Sequence, residues 1–126
     1  MGSFLDKPDT AKTTHVESDS TKTVGVSCMQ GWRISMEDAH TLVLSMEGRP
    51  EWSFLAVFDG HGGDLAAHHA SEHVVRHVAS TEDWLAGSTP ELVSAALRVG
   101  FLSLDAEIKE LPQVRRGEDH SGCTAI

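Results

Sequence analysis

The sequence lacks asparagine, and it contains only two cysteines, Cys28 and Cys123. Without asparagine the chain has no acceptor for N-glycosylation. Two cysteines exclude a disulfide framework, and their positions do not match the paired spacing of a structural zinc site. We therefore expect both to be reduced thiols in the core of a cytoplasmic or nuclear protein.

Long apolar runs and basic residues are also scarce. No stretch approaches the roughly 20 apolar residues of a transmembrane helix, and there is no secretory signal, so we expect no membrane-spanning segment. Ten lysines and arginines stand against nineteen aspartates and glutamates, which gives a formal net charge of −9. This balance argues against nucleic acid as a partner and suits a protein that binds cations. The length of 126 residues predicts one domain or part of one.

Few apolar residues occur between positions 6 and 22, where the sequence is DKPDTAKTTHVESDSTK. Such a segment buries too little apolar surface to offset the entropy of ordering, so we expect residues 1–22 to form a mobile arm. Gly2 follows the initiator methionine, which is the acceptor position for myristoylation, although Asp6 stands where that pattern takes serine or threonine. Gly2 is thus a candidate lipidation site that would give weak membrane association, and an unmodified N-terminus is the alternative.

Three segments predict β-strands, at residues 23–30, 41–46 and 52–58. Their apolar residues either alternate or form short runs rich in branched and aromatic side chains. Turn residues separate the three segments, so we expect an antiparallel meander. Residues 54–58 are expected to be buried on both faces. Asp59 would then end a buried strand, where a carboxylate needs a partner.

Two amphipathic helices are predicted in the second half of the chain. Apolar residues recur at spacings of three and four between residues 64 and 79. Residues 88–91 (STPE) combine a capping box with proline in the first turn, and they predict a second helix that ends before Pro112. Residues 113–120 are expected to form a charged loop, and residues 121–126 to open another strand.

The strongest chemical pattern is a set of oxygen ligands around the predicted third strand. Glu37, Asp38 and Asp59 supply carboxylates, and a turn at Gly60 exposes a peptide carbonyl. Oxygen ligands select hard cations, Mg²⁺ or Mn²⁺, over zinc. Two such ions bound close together, with Asp59 as the natural bridge, would activate a water for attack on a phosphoryl group.

Two further residues complete this pattern. Arg33 offers a fork of donors suited to phosphate oxygens, and His61 can donate a proton to a leaving alkoxide. Each feature taken alone is common in solvated loops and turns. Their occurrence together predicts metal-assisted phosphoryl hydrolysis.

Three stretches in this order resemble motifs of the metal-dependent type 2C protein serine/threonine phosphatases. They are residues 31–40 (GWRISMEDAH), 57–63 (VFDGHGG) and 121–125 (SGCTA). The start, MGSFLDKP, resembles the animal alpha and beta members, in which Gly2 is a lipidation site. The resemblance implies a monomeric enzyme that hydrolyses phosphoserine and phosphothreonine in phosphorylated proteins by metal-activated water. It also implies two Mg²⁺ or Mn²⁺ ions in the complete domain.

The resemblance also implies a role for each candidate residue. Glu37 would bind one metal ion, Asp59 would bridge two, and the Gly60 carbonyl would complete the site. Arg33 would hold the substrate phosphate and His61 would be the general acid. Asp38 would orient the attacking water.

The fold that the resemblance implies is an α+β fold, an antiparallel β-sandwich flanked by helices in four αββα layers. Residues 23–126 would be the N-terminal portion of that catalytic domain, because the family carries further metal-binding aspartates later in its sequence. We expect the 126-residue chain alone to be inactive or weakly active. The alternatives are a truncated, non-catalytic fragment that acts as a binding module, and a helix-on-sheet adaptor without metal.

Three histidines also fall on one face of the first predicted helix, at His69, His73 and His77. This spacing could hold a transition metal. The sequence offers no nearby acidic ligand for it, so we interpret them as exposed surface histidines.

Overall fold

Two antiparallel sheets and four helices form the fold over residues 4–126, the part of the chain that this computed structural model describes. In chain order the elements are β1 (Phe4–Ser18), β2 (Thr23–Arg33), β3 (Ala39–Val43), β4 (Phe54–His61), α1 (Leu65–Ala79), α2 (Glu82–Ala86), α3 (Pro90–Glu110), α4 (Pro112–Arg115) and β5 (Gly122–Ala125). One sheet contains β1 and β2, and the other has the order β3-β4-β5. The predicted α+β class with antiparallel sheets is confirmed.

The N-terminal segment differs from the mobile arm predicted for residues 1–22. Residues 4–18 form strand β1, which pairs antiparallel with β2 over most of its length. Almost every side chain of β1 is exposed, so the pairing rests on backbone hydrogen bonds, which composition does not reveal. Thr14 and Ser27 add a cross-strand contact of 2.9 Å between their hydroxyl oxygens. Gly2, the candidate lipidation site, lies outside the described residues.

The strand pairing also corrects the predicted three-strand meander. Strand β2 pairs with β1, while β3 pairs with β4, and β5 takes the other edge of β4. Residues 34–38 between β2 and β3 are too long for a tight hairpin and carry the chain from one sheet to the other. Val26 of β2 and Val57 of β4 border the same gap between the sheets.

Strand β4 is buried on one face rather than on both. Ala56 and Phe58 are buried beneath the helices, whereas Leu55 and Val57 are 51% and 46% exposed. The alternation arises because the helices cover only one side of the β3-β4-β5 sheet, and the β1-β2 sheet lies over the other without filling the space.

Both long helices agree with their predicted bounds. Helix α1 begins after its N-cap Asp64 and ends at Ala79. The Thr89 hydroxyl caps α3 by accepting a hydrogen bond from the backbone N–H of Leu92, so the cap is Thr89 and not Ser88, the residue that the predicted capping box with Glu91 requires. Strand β5 is confirmed as well. The short helices α2 and α4 are not predicted by the sequence reasoning, and α4 occupies the start of the expected loop at 113–120.

The core lies where α1 packs on β4 and on α3. Phe58, Val74 and Val78 are its largest fully buried side chains. Helix α3 approaches α1 closely at Gly100, where a Cβ atom would stand 2.7 Å from Val78 Cγ2. This contact fixes the distance between the two helices. Over residues 4–126, no helix combines the length and the apolar character that crossing a membrane requires.

Candidate functional site

A polar cavity of about 340 Å³ lies where the end of β2, the loop 34–38 and the end of β4 meet. Its wall contains all the predicted site residues of these segments except His61: Arg33, Glu37, Asp38, Asp59 and Gly60. Arg33 ends β2 of one sheet, Asp59 and Gly60 lie in β4 of the other, and Glu37 and Asp38 lie in the loop that joins the sheets. The loop 34–38, which connects the two sheets, therefore places its carboxylates opposite the end of β4.

A close contact requires glycine at position 60, and the sequence does not reveal this contact. The prediction placed Gly60 in a turn, but it lies inside strand β4 and pairs with Cys123 of β5. A Cβ atom at this position would stand 2.0 Å from the backbone oxygen of Glu37. Only glycine allows the loop backbone to rest directly on the strand. The turn itself follows at Gly62 and Gly63, whose φ angles are 72° and 129°.

Hydrogen bonds from polar side chains hold the loop that carries Glu37 and Asp38. The side-chain amide of Gln30 donates to the backbone oxygens of Arg33 and Ile34, both at 2.9 Å. The Ser35 hydroxyl donates to Glu37 Oε1 at 3.0 Å. These bonds fix the end of β2 and orient the Glu37 carboxylate.

Gln30 is a positioning residue that the sequence reasoning missed. Val24, Val26 and Cys28 are the half-buried residues of β2, and Gln30 occupies the next position of the same row. A polar residue in an otherwise apolar row is the signal that would have identified it.

His61 lies outside the cavity wall. It is the last residue of β4, is exposed, and pairs with Gly122 of β5. Its ring rests against Gly122, where a Cβ atom would stand 2.8 Å from His61 Nε2. Side chains two apart on a strand share a face and are separated by about 7 Å, so His61 stands beyond Asp59 along β4.

A hydrogen-bonded group joins β5 to the start of α1 beside the glycine turn. The Ser121 hydroxyl donates to Asp119 Oδ1 and accepts from the backbone N–H of Ala66 at 3.0 Å. The backbone N–H of Ser121 also donates to Asp119, at 2.9 Å. The hydrogen bonds from Ser121, first its hydroxyl and then its N–H, lower the pKa of Asp119. Ser121 therefore anchors the turn that follows β4.

The donor set of the cavity fits a hard divalent cation. Glu37, Asp38 and Asp59 supply carboxylate oxygens, and the close approach at Gly60 brings backbone of the strand and of the loop together. Mg²⁺ and Mn²⁺ prefer such oxygen ligands. Arg33 on the same wall adds a guanidinium that can bind an anion.

A second polar cluster corrects the interpretation of the α1 histidines as exposed. His69 and His73 are half-buried, and His77 is only 8% exposed. Helix α3 covers this face and brings Glu107, whose carboxylate lies 2.8 Å from His69 Nε2 and 3.0 Å from His77 Nε2. Its pKa falls to about 2, first because His69 and then because Arg76 donates hydrogen bonds to it. Glu107 is the acidic partner that sequence spacing did not reveal.

Comparison with known proteins identifies related sequences over the whole chain. A family model described as Protein phosphatase 2C matches residues 22–126. Human protein phosphatase 1B is 42% identical over 135 residues, an alignment that covers 100% of this chain and 28% of that protein. Human protein phosphatase 1A is 38% identical over 130 residues, covering 100% of this chain and 34% of the relative. The chain thus spans about a third of the length of the curated relatives it matches.

A solved structure shares the fold. It is the crystal structure of serine-threonine phosphatase 2C from Toxoplasma gondii, which superposes with a TM-score of 0.64. The alignment covers 97% of this chain and 41% of the Toxoplasma chain. The sequence identity is 20%, so this likeness bears on the fold alone.

Proposed function

The chain belongs to the protein phosphatase 2C family, and from this premise we propose that it carries the metal-binding and phosphate-binding residues of a protein serine/threonine phosphatase. The observation that supports this proposal is the convergence of Arg33, Glu37, Asp38, Asp59 and Gly60 on one polar cavity. Phosphorylated proteins are the proposed substrates.

The proposed metal ligands are Glu37, Asp59 and the Gly60 carbonyl. Mg²⁺ or Mn²⁺ held there supplies Lewis-acid stabilisation and makes a nucleophilic water available near neutral pH. Asp38, on the same wall, accepts a hydrogen bond from the attacking water and orients it towards phosphorus. The Ser35 hydroxyl holds Glu37 in place before any ion binds.

Arg33 and His61 act on the substrate. The Arg33 guanidinium donates to two phosphate oxygens and holds the phosphoryl group in line with the attacking water. His61 donates a proton to the seryl or threonyl oxygen as it leaves. Because His61 stands about 7 Å beyond Asp59 along β4, the leaving oxygen must face the His61 end of the cavity.

A chimera tests the proposal. This chain replaces the matched portion of human protein phosphatase 1A, and phosphate release from a phosphothreonine peptide is measured with Mn²⁺. We expect Mn²⁺-dependent hydrolysis that Asp59→Asn lowers by orders of magnitude. His61→Gln should lower turnover by less than that, within the range of about 10² to 10⁴ typical of a lost general acid. Glu47→Gln, which removes an exposed carboxylate away from the cavity, is the matched control.

The outcome that contradicts the proposal is a chimera in which Asp59→Asn and Glu47→Gln hydrolyse the peptide equally well. A folded chimera with no activity at any Mn²⁺ concentration would also contradict it.

A further inference from the structure

Two histidines and a glutamate meet between α1 and α3, on elements other than those that carry the phosphatase cavity. His69 and His73 are one turn apart on α1, with ring centroids 4.2 Å apart. Glu107 reaches them from α3, and His69 Nε2 lies 2.8 Å from its Oε1. One ligand atom from each of the three residues lies within 4.8 Å of the others.

We propose that His69, His73 and Glu107 bind a divalent transition-metal ion, Zn²⁺ foremost, that joins α1 to α3. Imidazole ligands suit Zn²⁺, whereas Mg²⁺ and Mn²⁺ favour the all-oxygen cavity. Two histidines at positions i and i+4 of one helix is a spacing that zinc-binding helices use. Three protein ligands leave one tetrahedral position for water.

Neighbouring side chains orient the Glu107 carboxylate by hydrogen bonds. His77 Nε2 lies 3.0 Å from Glu107 Oε2, and its other ring nitrogen lies 2.9 Å from the Ser103 hydroxyl. Partners of this kind orient a ligand and raise metal affinity. His77 holds Oε2, and Oε1 is the oxygen that faces His69.

The charge of Arg76 opposes an ion at this position. Its guanidinium donates to both oxygens of Glu107 at 3.0 Å. The Arg76 side chain is 59% exposed, so it can keep its bond to Oε2, or turn into solvent, at little cost. The formal net charge of −9 further favours a cation.

The two helices form a rigid frame for the three ligands. Gly100 of α3 packs against Val78 of α1 so closely that a Cβ atom would stand 2.9 Å from Val78 Cα. The His69 side chain is 15% exposed and that of Glu107 is 32% exposed. The ligands are thus shielded from bulk water but remain accessible to an ion from solution.

The competing explanation is a hydrogen-bonded network that fastens α1 to α3 without metal. His73 distinguishes the two. Among the described residues, His73 meets the cluster through its ring contact with His69 rather than through a hydrogen bond to Glu107. Removing its imidazole therefore takes away a metal ligand and leaves the bonds of Glu107 in place.

The experiment is a Zn²⁺ titration of the full chain by calorimetry, repeated with Co²⁺ by visible absorption. All proteins carry Asp59→Asn, so that the oxygen-lined cavity contributes little. We expect one Zn²⁺ per chain, a Co²⁺ spectrum of low coordination number, and a Zn²⁺-dependent rise in Tm. His73→Ala and Glu107→Gln should each weaken Zn²⁺ binding at least about tenfold and abolish the Tm rise. His68→Ala, an exposed neighbour on α1, is the matched control and should bind as the parent does.

Three results would overturn the proposal. One is no Zn²⁺ binding by the parent, and another is unchanged affinity in His73→Ala. The third is a loss in His68→Ala as large as that in His73→Ala. Circular dichroism of each metal-free variant establishes that it is folded, and His73→Ala keeps the test decisive if Glu107→Gln does not fold. Because the readouts are Zn²⁺ binding and Tm, the result is independent of phosphatase activity.

Discussion

Replacing Gly60 by alanine tests the contact that organises the proposed metal site. The added Cβ atom would stand 2.0 Å from the backbone oxygen of Glu37 and 2.9 Å from its carbonyl carbon. Both obstacles are backbone atoms, so no side-chain rotation relieves the overlap. The Glu37 loop and β4 must separate by about 1 Å to reach even a tight contact of 3.0 Å.

This separation should affect both stability and metal affinity. Overpacking costs about 1–3 kcal/mol, and the better strand propensity of alanine returns about 0.5–1 kcal/mol, so the free energy of unfolding should fall by about 1 kcal/mol and by at most about 2.5 kcal/mol. Mg²⁺ demands ligand distances of about 2.0–2.1 Å, which a shift of this size destroys. We expect Mn²⁺ affinity to fall by about 10- to 100-fold, the loss that is typical when the groups that orient metal ligands are disturbed.

Gly25→Ala is the matched control because Gly25 also lies inside a strand, β2. Its nearest neighbour for an added Cβ is Val16 Cγ2 at 3.7 Å, an ordinary contact. Urea unfolding and Mn²⁺ calorimetry on the chain and both variants make the comparison. If Gly60→Ala is as stable as Gly25→Ala and binds Mn²⁺ as the parent does, the close approach of Gly60 to Glu37 does not exist.

Three further predictions follow from other contacts. Gly122→Ala should displace the His61 ring, which its Cβ would approach to 2.8 Å, and so lower turnover of the chimera while leaving its Tm nearly unchanged. Gly100→Ala should lower the free energy of unfolding by about 1–2 kcal/mol in urea, since overlap with Val78 outweighs the gain in helix propensity. The pKa of Glu107 is lowered from 4.5 to about 2, so its stabilisation is present above pH 4.5 and lost as the pH falls to 2. In metal-free buffer the unfolding free energy of the parent should therefore fall more over this interval than that of Glu107→Gln.

The helices were predictable because their signals are local. The Thr89 cap, the proline that follows it and the stop at Pro112 all lie within a few residues of the helix ends. Strand pairing depends on partners far along the chain. The sequence could not show that β2 pairs with β1 instead of β3, since backbone hydrogen bonds carry no side-chain signature.

The sequence named the residues of the candidate site but not the contacts that bring them together. The motifs named Arg33, Glu37, Asp38 and Asp59, which the structure gathers on one wall. The requirement for glycine at position 60 comes from a contact between strand β4 and the loop 34–38, which no turn rule describes. Contacts between distant segments decide such details.

The α1 histidines illustrate the same limit. Helical spacing placed His69, His73 and His77 on one face, but their exposure depends on what packs there. Glu107 lies 38 residues beyond His69 and reaches it only because α3 crosses α1. A periodic pattern shows which residues share a face, whereas the partner of that face comes from the tertiary fold.

The most direct test of the proposed metal site is an electron paramagnetic resonance titration of the chain with Mn²⁺, in which binding removes the signal of the free ion. We expect Asp59→Asn to weaken Mn²⁺ binding by at least about tenfold, while Glu47→Gln, which loses the same charge at an exposed position, binds as the parent does. Equal binding by the parent and Asp59→Asn, or no binding by the parent, would contradict the assignment of Glu37, Asp59 and Gly60 as a metal site.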